Sequence, residues 1–507
     1  MRQQKEKIFT YILIGLIVIQ PILDLVWLND GTIGEVFGFT IPTLVRMGVI
    51  AVLGIASFFV FKFRKSHLLL VFYVAIIGIY FVLHHMNALE FHSMVPGDFN
   101  YSMIGEAFYV VRMCIPIAMM YFVYNSEFGR KEFDISVVGV VLVMSGIEVV
   151  TNVFKVAICS YSDRTISGNI FDWFFSRGAY YYNELASKGW FYWSIVSMVL
   201  VLLFPYVLYL FIDTKKMRYL GVGILQGIAL FMFGTKATSY SVVIVSVLML
   251  VLYFFSTVIK KEYKFNVKIA VVLCVFCIGS VGILQYCPAV SRVYYDEGYQ
   301  SEIDEEEEKR KEEEEESHEY DFSNGNTSEM IRFFDNNYKF LSINETFLKE
   351  SYPYKYDPVF WYELYDSMVP SQRMQNRIVQ EAVLQRVQQI NDNEMDKFLG
   401  VGYTRTSTIY NLEKDFVYQY YSMGVVGAAL LVGPYIAILL LVMIEMLFCF
   451  KRKLTLLNCS LVLGCGLTCC LAYYSGNTLE SLGVSIVLGT VYGYLLKSNF
   501  KREQPKR

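Results

Sequence analysis

Apolar runs near twenty residues recur along the whole chain, each long enough to cross ~30 Å of hydrocarbon as a helix. Twelve such segments fit: about 8–28, 41–63, 67–84, 106–125, 134–155, 189–212, 219–235, 238–259, 267–287, 416–448, 455–474 and 479–497. Hydrophobic residues make up 55% of the chain and charged residues 18%, less charge than soluble domains carry. The expected fold is an all-α polytopic membrane protein with about twelve transmembrane helices. The tenth run is long, so its first turns should lie at the interface or the helix should tilt strongly. Residues 1–30 start basic, but no small-residue cleavage site follows, and the run reads as a first span rather than a signal peptide. A net charge of −3 gives no reason to invoke nucleic acid as a partner.

Charge placement says more. Basic residues fall at Arg2, Lys5 and Lys7, at Lys62, Arg64 and Lys65, and at Arg130 and Lys131. They recur at Lys215, Lys216 and Arg218, at Lys260, Lys261 and Lys264, at Lys451, Arg452 and Lys453, and from Lys501 to Arg507. With twelve spans, every group lies on one side, and the positive-inside rule makes that side, with both termini, cytoplasmic. Three parts follow. Residues 1–287 hold nine helices and an outer loop at 156–188, residues 288–415 form an extracytoplasmic loop domain, and residues 416–507 hold three helices and a basic tail.

Within the large loop, residues 302–319 are an acidic low-complexity block, expected to be disordered or a frayed helix. A calcium site there lacks EF-hand spacing. Residues 352–373 are rich in aromatics, which fits either a sugar-facing surface or rings that pack on one another or at the headgroups. In residues 375–390, Ile378, Val379, Ala382, Val383 and Val387 share a helical stripe, with Arg377 before it and Arg386 beyond. That amphipathic helix leads to the turn FLGVGY, where Gly400 and Gly402 permit tight backbone geometry. Most of the ten cysteines lie in apolar runs and read as small packing residues, including the Cys274/Cys277 CxxC; Cys159 and Cys287 are placed to pair.

There is no HExxH and no P-loop. His84 and His85 read as an interfacial polar cap at a helix end. What remains is a set of charges on the outer face: Arg377, Arg386 and Arg405 from the large loop, Arg164, Arg177 and Lys188 from the small one, and Lys236 in the turn FGTKATS. Arg112 lies inside the fourth span, where a charge is costly and should face protein. Such a set suits a lipid diphosphate, because arginine binds phosphate oxygens through paired hydrogen bonds; for each residue singly, snorkelling or a surface ion pair is the plain alternative. Glu413 and Asp415 are the acids beside this set. Either could take a proton from a sugar hydroxyl as general base, or simply sit in the first turn of a helix, where the dipole favours acids.

Four stretches are similar to the O-antigen ligase and polymerase superfamily of bacterial envelope enzymes: FLGVGY…LEKDFVYQYYSMGVVG, SKGWFYWSIVSMVLVLLFP, FGTKATSYS and YYSGNTLESLGVS. QPILDL, residues 20–25, has the look of Gram-positive members. The resemblance implies a type-C glycosyltransferase-like membrane fold in the bacterial cytoplasmic membrane. It also implies a polyprenyl-diphosphate-linked oligosaccharide donor, chemistry at the outer face without metal or other cofactor, and a flippase and chain-length regulator as partners. It puts Arg377 where the family has a diphosphate-engaging arginine. Arg405, Lys236 and Arg112 become further diphosphate ligands, and Arg177, Lys188 and Asn477 substrate contacts. Glu413 stands where ligases carry a proposed histidine base, and Asn477 where relatives often have histidine. The missing histidine fits a polymerase of a capsule or exopolysaccharide better than a ligase; a flippase is a third reading, without a visible repeat between the two halves.

Overall fold

The computed structural model describes residues 2–29, 40–61, 63, 65–93, 101–176, 178–317, 320, 322, 325–409, 412–474 and 476–501. Among them the chain is helical, and only isolated bridges, no strands, are formed. Hydrocarbon offers backbone groups no partner, so segments this apolar satisfy themselves as helices. Among the described residues, nine helices are long and apolar enough to cross a membrane: Ile41–Val60, Lys65–Leu89, Met103–Asn125, Arg130–Val153, Ser194–Thr214, Lys236–Ile259, Val267–Leu284, Asp415–Phe448 and Leu456–Tyr474. The other three expected segments form the helix Arg2–Val18, broken at Ile19 before Gln20–Leu23, the 16-residue Met217–Met232, and Leu482–Phe500. Large apolar side chains such as Val52, Ile55, Phe59, Leu69 and Phe72 stand exposed on two of the long helices. A continuous apolar surface of that kind is suited to lipid rather than water.

The helix Ser197–Thr214 is apolar all round and runs buried through the centre. Met103–Asn125 and Leu482–Phe500 pack most closely. Gly489 and Gly493, four residues apart on one face, let the backbones meet: a Cβ would stand 2.5 Å from the Pro116 carbonyl oxygen at Gly489 and 2.8 Å from the Val123 Cβ at Gly493.

The basic connections gather at one end. Lys497 Nζ donates to the Ser126 and Phe128 carbonyls, Lys453 Nζ to Ser498 O, Lys260 Nζ to Lys451 O, and Arg130 pairs with Asp213. At the other end the loop after the helix Arg130–Val153 is pinned: Lys188 N donates to Ile158 O, Ser187 N to Met232 O and Tyr192 N to Asp24 O.

Short helices between residues 327 and 406 enclose a second apolar cluster of Phe333, Phe334, Tyr352, Trp361, Leu364, Val379, Val383 and Val387. The expected amphipathic helix is Asn376–Asn391. The aromatics of 352–373 mostly pack on one another: Tyr352, Tyr354, Phe360, Trp361 and Tyr365 are buried. Arg386 serves this cluster by gripping Asp357 (2.7 and 3.3 Å). The acidic block continues the helix Pro288–Ser317, and residues 318–319 lie outside the described residues. The ten cysteines are free thiols; Cys159 and Cys287 are each buried and unbridged.

Candidate functional site

The tenth run neither simply tilts nor stays whole. Its first helix, Asp415–Leu431, breaks at Gly424, whose φ of 69° lies in the left-handed region. The turn FLGVGY fills the break. A Cβ on Gly400 (φ 81°) would lie 2.3 Å from Ser422 O, and one on Gly424 would lie 2.3 Å from the Phe398 carbonyl carbon. Only glycine fits where two backbones touch. Val401 N donates to Tyr421 O (3.1 Å), Gly402 N to Ser422 O (3.0 Å) and Tyr80 Oη to Met423 O (2.6 Å). The carbonyls freed by the break are thereby satisfied.

A buried acid holds the next stretch. Glu106 Oε1 accepts from Thr404 N (2.6 Å) and Thr404 Oγ1 (2.8 Å), and its Oε2 lies 3.2 Å from His84 Nε2. His84 is no interfacial cap: it is fully buried, with Nδ1 2.5 Å from Leu399 O. His85 instead meets Tyr101 Oη at 2.9 Å. Arg405 belongs to the same framework. Its Nη1 donates to Ala88 O (2.6 Å) and Val401 O (3.1 Å), and its guanidinium lies over the Phe91 and Tyr101 rings. Burial pulls its pKa below the ordinary arginine value.

With Thr404 fixed, Tyr403 stacks on Tyr109, ring centroids 3.6 Å apart. The Arg112 guanidinium lies 5.3 Å from one ring centroid and 5.9 Å from the other. Arg112 Nη2 is 3.5 Å from Glu480 Oε2, and Tyr109 Oη donates to Glu480 Oε1 at 2.6 Å. Gln419 Nε2 in turn donates to Tyr109 Oη. The intraspan arginine therefore faces protein, as its cost demands. Its side chain is 22% exposed, against 4% for Glu480, so the pair reaches the surface through the arginine. Burial pushes the Glu480 carboxyl up, against the opposing pull of Arg112 and Tyr109.

The turn carrying Glu480 is joined to the start of the broken helix. Gly476 N donates to Glu413 O (3.1 Å), and Leu479 N to Asp415 Oδ2 (3.0 Å). Asp415 thus grips the facing turn instead of capping its own helix. It is buried, and its Oδ1 has no hydrogen-bond partner. Two residues earlier the side chains face outward. Arg377 Nε donates to Glu413 Oε2 at 2.9 Å, with Nη2 on the same oxygen, and both side chains are exposed. Lys414 pairs with Glu381 (2.7 Å), a second tie to the helix Asn376–Asn391.

Arg377, Glu413, Asp415, Asn477 and Arg112 therefore come together at one end of the bundle. Lys236 pairs with Asp296 (3.2 Å) and Lys188 with Asp163 (3.4 Å), in contacts of their own. Arg177 lies outside the described residues. Glu480, Tyr109 and Gln419 were not singled out from the sequence. Glu480 lies in YYSGNTLESLGVS, but its partner Arg112 is 368 residues away, a pairing no local pattern reveals. Among the described residues, no three His, Cys, Asp or Glu side chains converge as metal ligands would.

A helical bundle clad in exposed apolar side chains, with arginines and carboxylates at one end, defines an integral membrane protein with a polar site. The family described as O-antigen ligase like membrane protein matches residues 5–502. The chain belongs to this family, whose type of role is ligase- or polymerase-like glycosyl transfer in polysaccharide assembly. No curated protein and no solved structure matches the chain.

Proposed function

We propose that this protein is a polymerase of a bacterial surface polysaccharide, joining polyprenyl-diphosphate-linked repeat units at the outer face of the cytoplasmic membrane. One observation carries the reading: Arg377, Glu413, Asp415, Glu480 and Arg112 share one end of the bundle, opposite the basic connections. With twelve spans and those connections cytoplasmic, this end faces outward.

In the proposed reaction an acceptor hydroxyl attacks the anomeric carbon of the donor. The glycosidic C–O bond forms as the C–O bond to the diphosphate breaks, and the hydroxyl proton passes to Glu413 or Asp415. Arg377 and Arg112 stabilise the negative charge that develops on the departing diphosphate. Arg377 is shared between the two roles. A diphosphate that takes its guanidinium releases Glu413, so donor binding uncovers the base. The acids at this site, in place of a histidine, favour the polymerase over a ligase with another acceptor.

The test is polymer length in strains carrying Arg377→Ala or Glu413→Ala. Each should accumulate single repeat units with little long polymer. Full-length polymer in both, at normal protein levels, would overturn the assignment.

A further inference from the structure

The short helices around the second apolar cluster hold a cavity of about 370 Å³ that the proposed reaction does not use. That volume falls among small-molecule sites, which run from about 300 to 1,000 Å³. Its floor is apolar: Leu348 and Tyr354 are buried members of the second cluster. Tyr338 and Pro353 complete the wall, and Asp335, Lys349 and Lys355 bring exposed charge to the rim.

The local chain fixes this arrangement. Tyr352 N donates to Phe347 O (3.1 Å) and Tyr354 N to Leu348 O (2.9 Å), which folds 347–354 back on itself. The Tyr354 hydroxyl donates to Asp335 Oδ1, tying that turn to the helix Thr327–Asn337. The Tyr354 ring also lies 5.3 Å from the ring of Phe334 on the same helix. Lys349 Nζ stands 3.2 Å from the Tyr338 ring centroid, and Lys355 Nζ 5.9 Å from that of Tyr354. The lysines thus stand over the rings of the cavity wall and floor.

Their ion pairs are weak. Lys349 meets Glu345 at 3.5 Å and Lys355 meets Asp335 at 3.7 Å, all on exposed side chains. Such contacts contribute little and give way readily to a ligand's acid. With Lys339, 5.7 Å from the Tyr338 centroid, three cations stand against two acids. The cavity therefore offers C–H and ring surface below, a carboxylate that can accept a hydroxyl, and ammonium groups for an anion. A neutral sugar leaves the lysines unused, and inorganic phosphate leaves the floor unused. A sugar ring with a negative substituent uses all three.

We infer that this cavity binds an acidic sugar residue, one bearing a carboxylate or a phosphate, with Lys349 and Lys355 as anion ligands and Asp335 as hydroxyl acceptor. The residue belongs to the glycan that the protein extends; only that identification rests on the proposed function. Leu348 and Tyr354 share their cluster with Val379 and Val383 of the helix that carries Arg377. A glycan held in the cavity is thus held by the same folded unit as Arg377, and the cavity acts as a specificity site apart from the Arg377–Glu413 pair.

The experiment uses the full chain in nanodiscs, with Lys349→Met, Lys355→Met and the double variant. The probes are the oligosaccharide repeat released from the host polymer, the same repeat with its carboxylates reduced to alcohols, and the same repeat dephosphorylated. The host repeat should contain an acidic sugar, and the derivative that loses binding identifies the acid. Each single variant should weaken binding of the intact repeat about fivefold, the double variant more, and the neutral derivative should bind all four proteins alike. A host polymer without an acidic sugar would overturn the inference. So would intact repeat bound equally by wild type and double variant, or a loss in the variants that strikes the neutral derivative equally, which marks a damaged fold. If the lysine-dependent binding is present but the wild type forms no glycosidic bond from lipid-linked repeats, the cavity stands and the polymerase reading falls.

Discussion

Two arginine–glutamate pairs flank the start of the helix Asp415–Leu431, and they differ in where they sit. Arg377–Glu413 is exposed on both sides; Arg112–Glu480 is nearly closed, with only the arginine reaching the surface. The exposed pair is cheap to open and to remake, since surface ion pairs contribute little. The buried pair is supported by Tyr109 and by the ring faces of Tyr109 and Tyr403, and opening it strands charge in an apolar setting. The same two residue types thus supply an exchangeable contact in one place and a fixed strut in the other.

The largest effect should come from Glu480→Ala. It leaves Arg112 buried without its acid, and thermal unfolding in detergent should show a loss of about 3–5 kcal/mol. An unchanged midpoint would erase the distinction between the two pairs. Next is Asp396, a buried acid that accepts from Asn87 Nδ2 (2.8 Å) and Asn391 Nδ2 (2.6 Å), with the Arg405 guanidinium acting on it through charge rather than a hydrogen bond. Asp396→Asn sets one amide donor against another and should cost about 1–3 kcal/mol, less than at Glu480, because the guanidinium that faces Asp396 keeps its own hydrogen bonds to Ala88 O and Val401 O.

A third difference is in pH response. Burial raises the Glu480 pKa above its ordinary 4.5, so the folded state holds this proton where the unfolded chain has released it. Its contribution to stability is greatest below pH 4.5 and is lost as pH rises from there through the raised value. Glu480→Gln should flatten stability across that window, and a wild-type curve matching Glu480→Gln would contradict the burial argument. Smallest is the exposed pair: Glu413→Gln should change stability by no more than about 1 kcal/mol, and added salt should shrink even that. A larger, salt-insensitive loss would mean that Glu413 is a strut as well.

Much of the bundle was legible because lipid imposes one rule on every span. The nine long apolar helices all fall on expected segments. The last helix, Leu482–Phe500, is less apolar for a physical reason: most of it is buried against protein, so its glycines and tyrosines answer to neighbours rather than lipid. Pro21 lies just past the break in the first segment, in the first turn of the short helix Gln20–Leu23, where proline's missing N–H costs nothing. The site was legible only in part. Arg112 announced itself as a charge needing a partner, but Glu480 could not, since a single acid in a turn looks ordinary until the fold brings the arginine to it. The break at Gly424 was hidden likewise. A glycine in an apolar helix is unremarkable by sequence, and what requires it is the backbone at Phe398.

That break also bears on how the protein is assembled during synthesis. When the segment 415–431 enters the membrane, the Tyr421 and Ser422 carbonyls at the break depend on amides of Val401 and Gly402, which belong to the chain that precedes it. Those amides arrive in place only once the 398–402 turn has come back to the bundle and settled beside Tyr80 and His84. Insertion of this segment is therefore completed by the folding of the polypeptide made just before it. A chain whose large loop misfolds would carry its defect directly into the bilayer, as an unfinished helix.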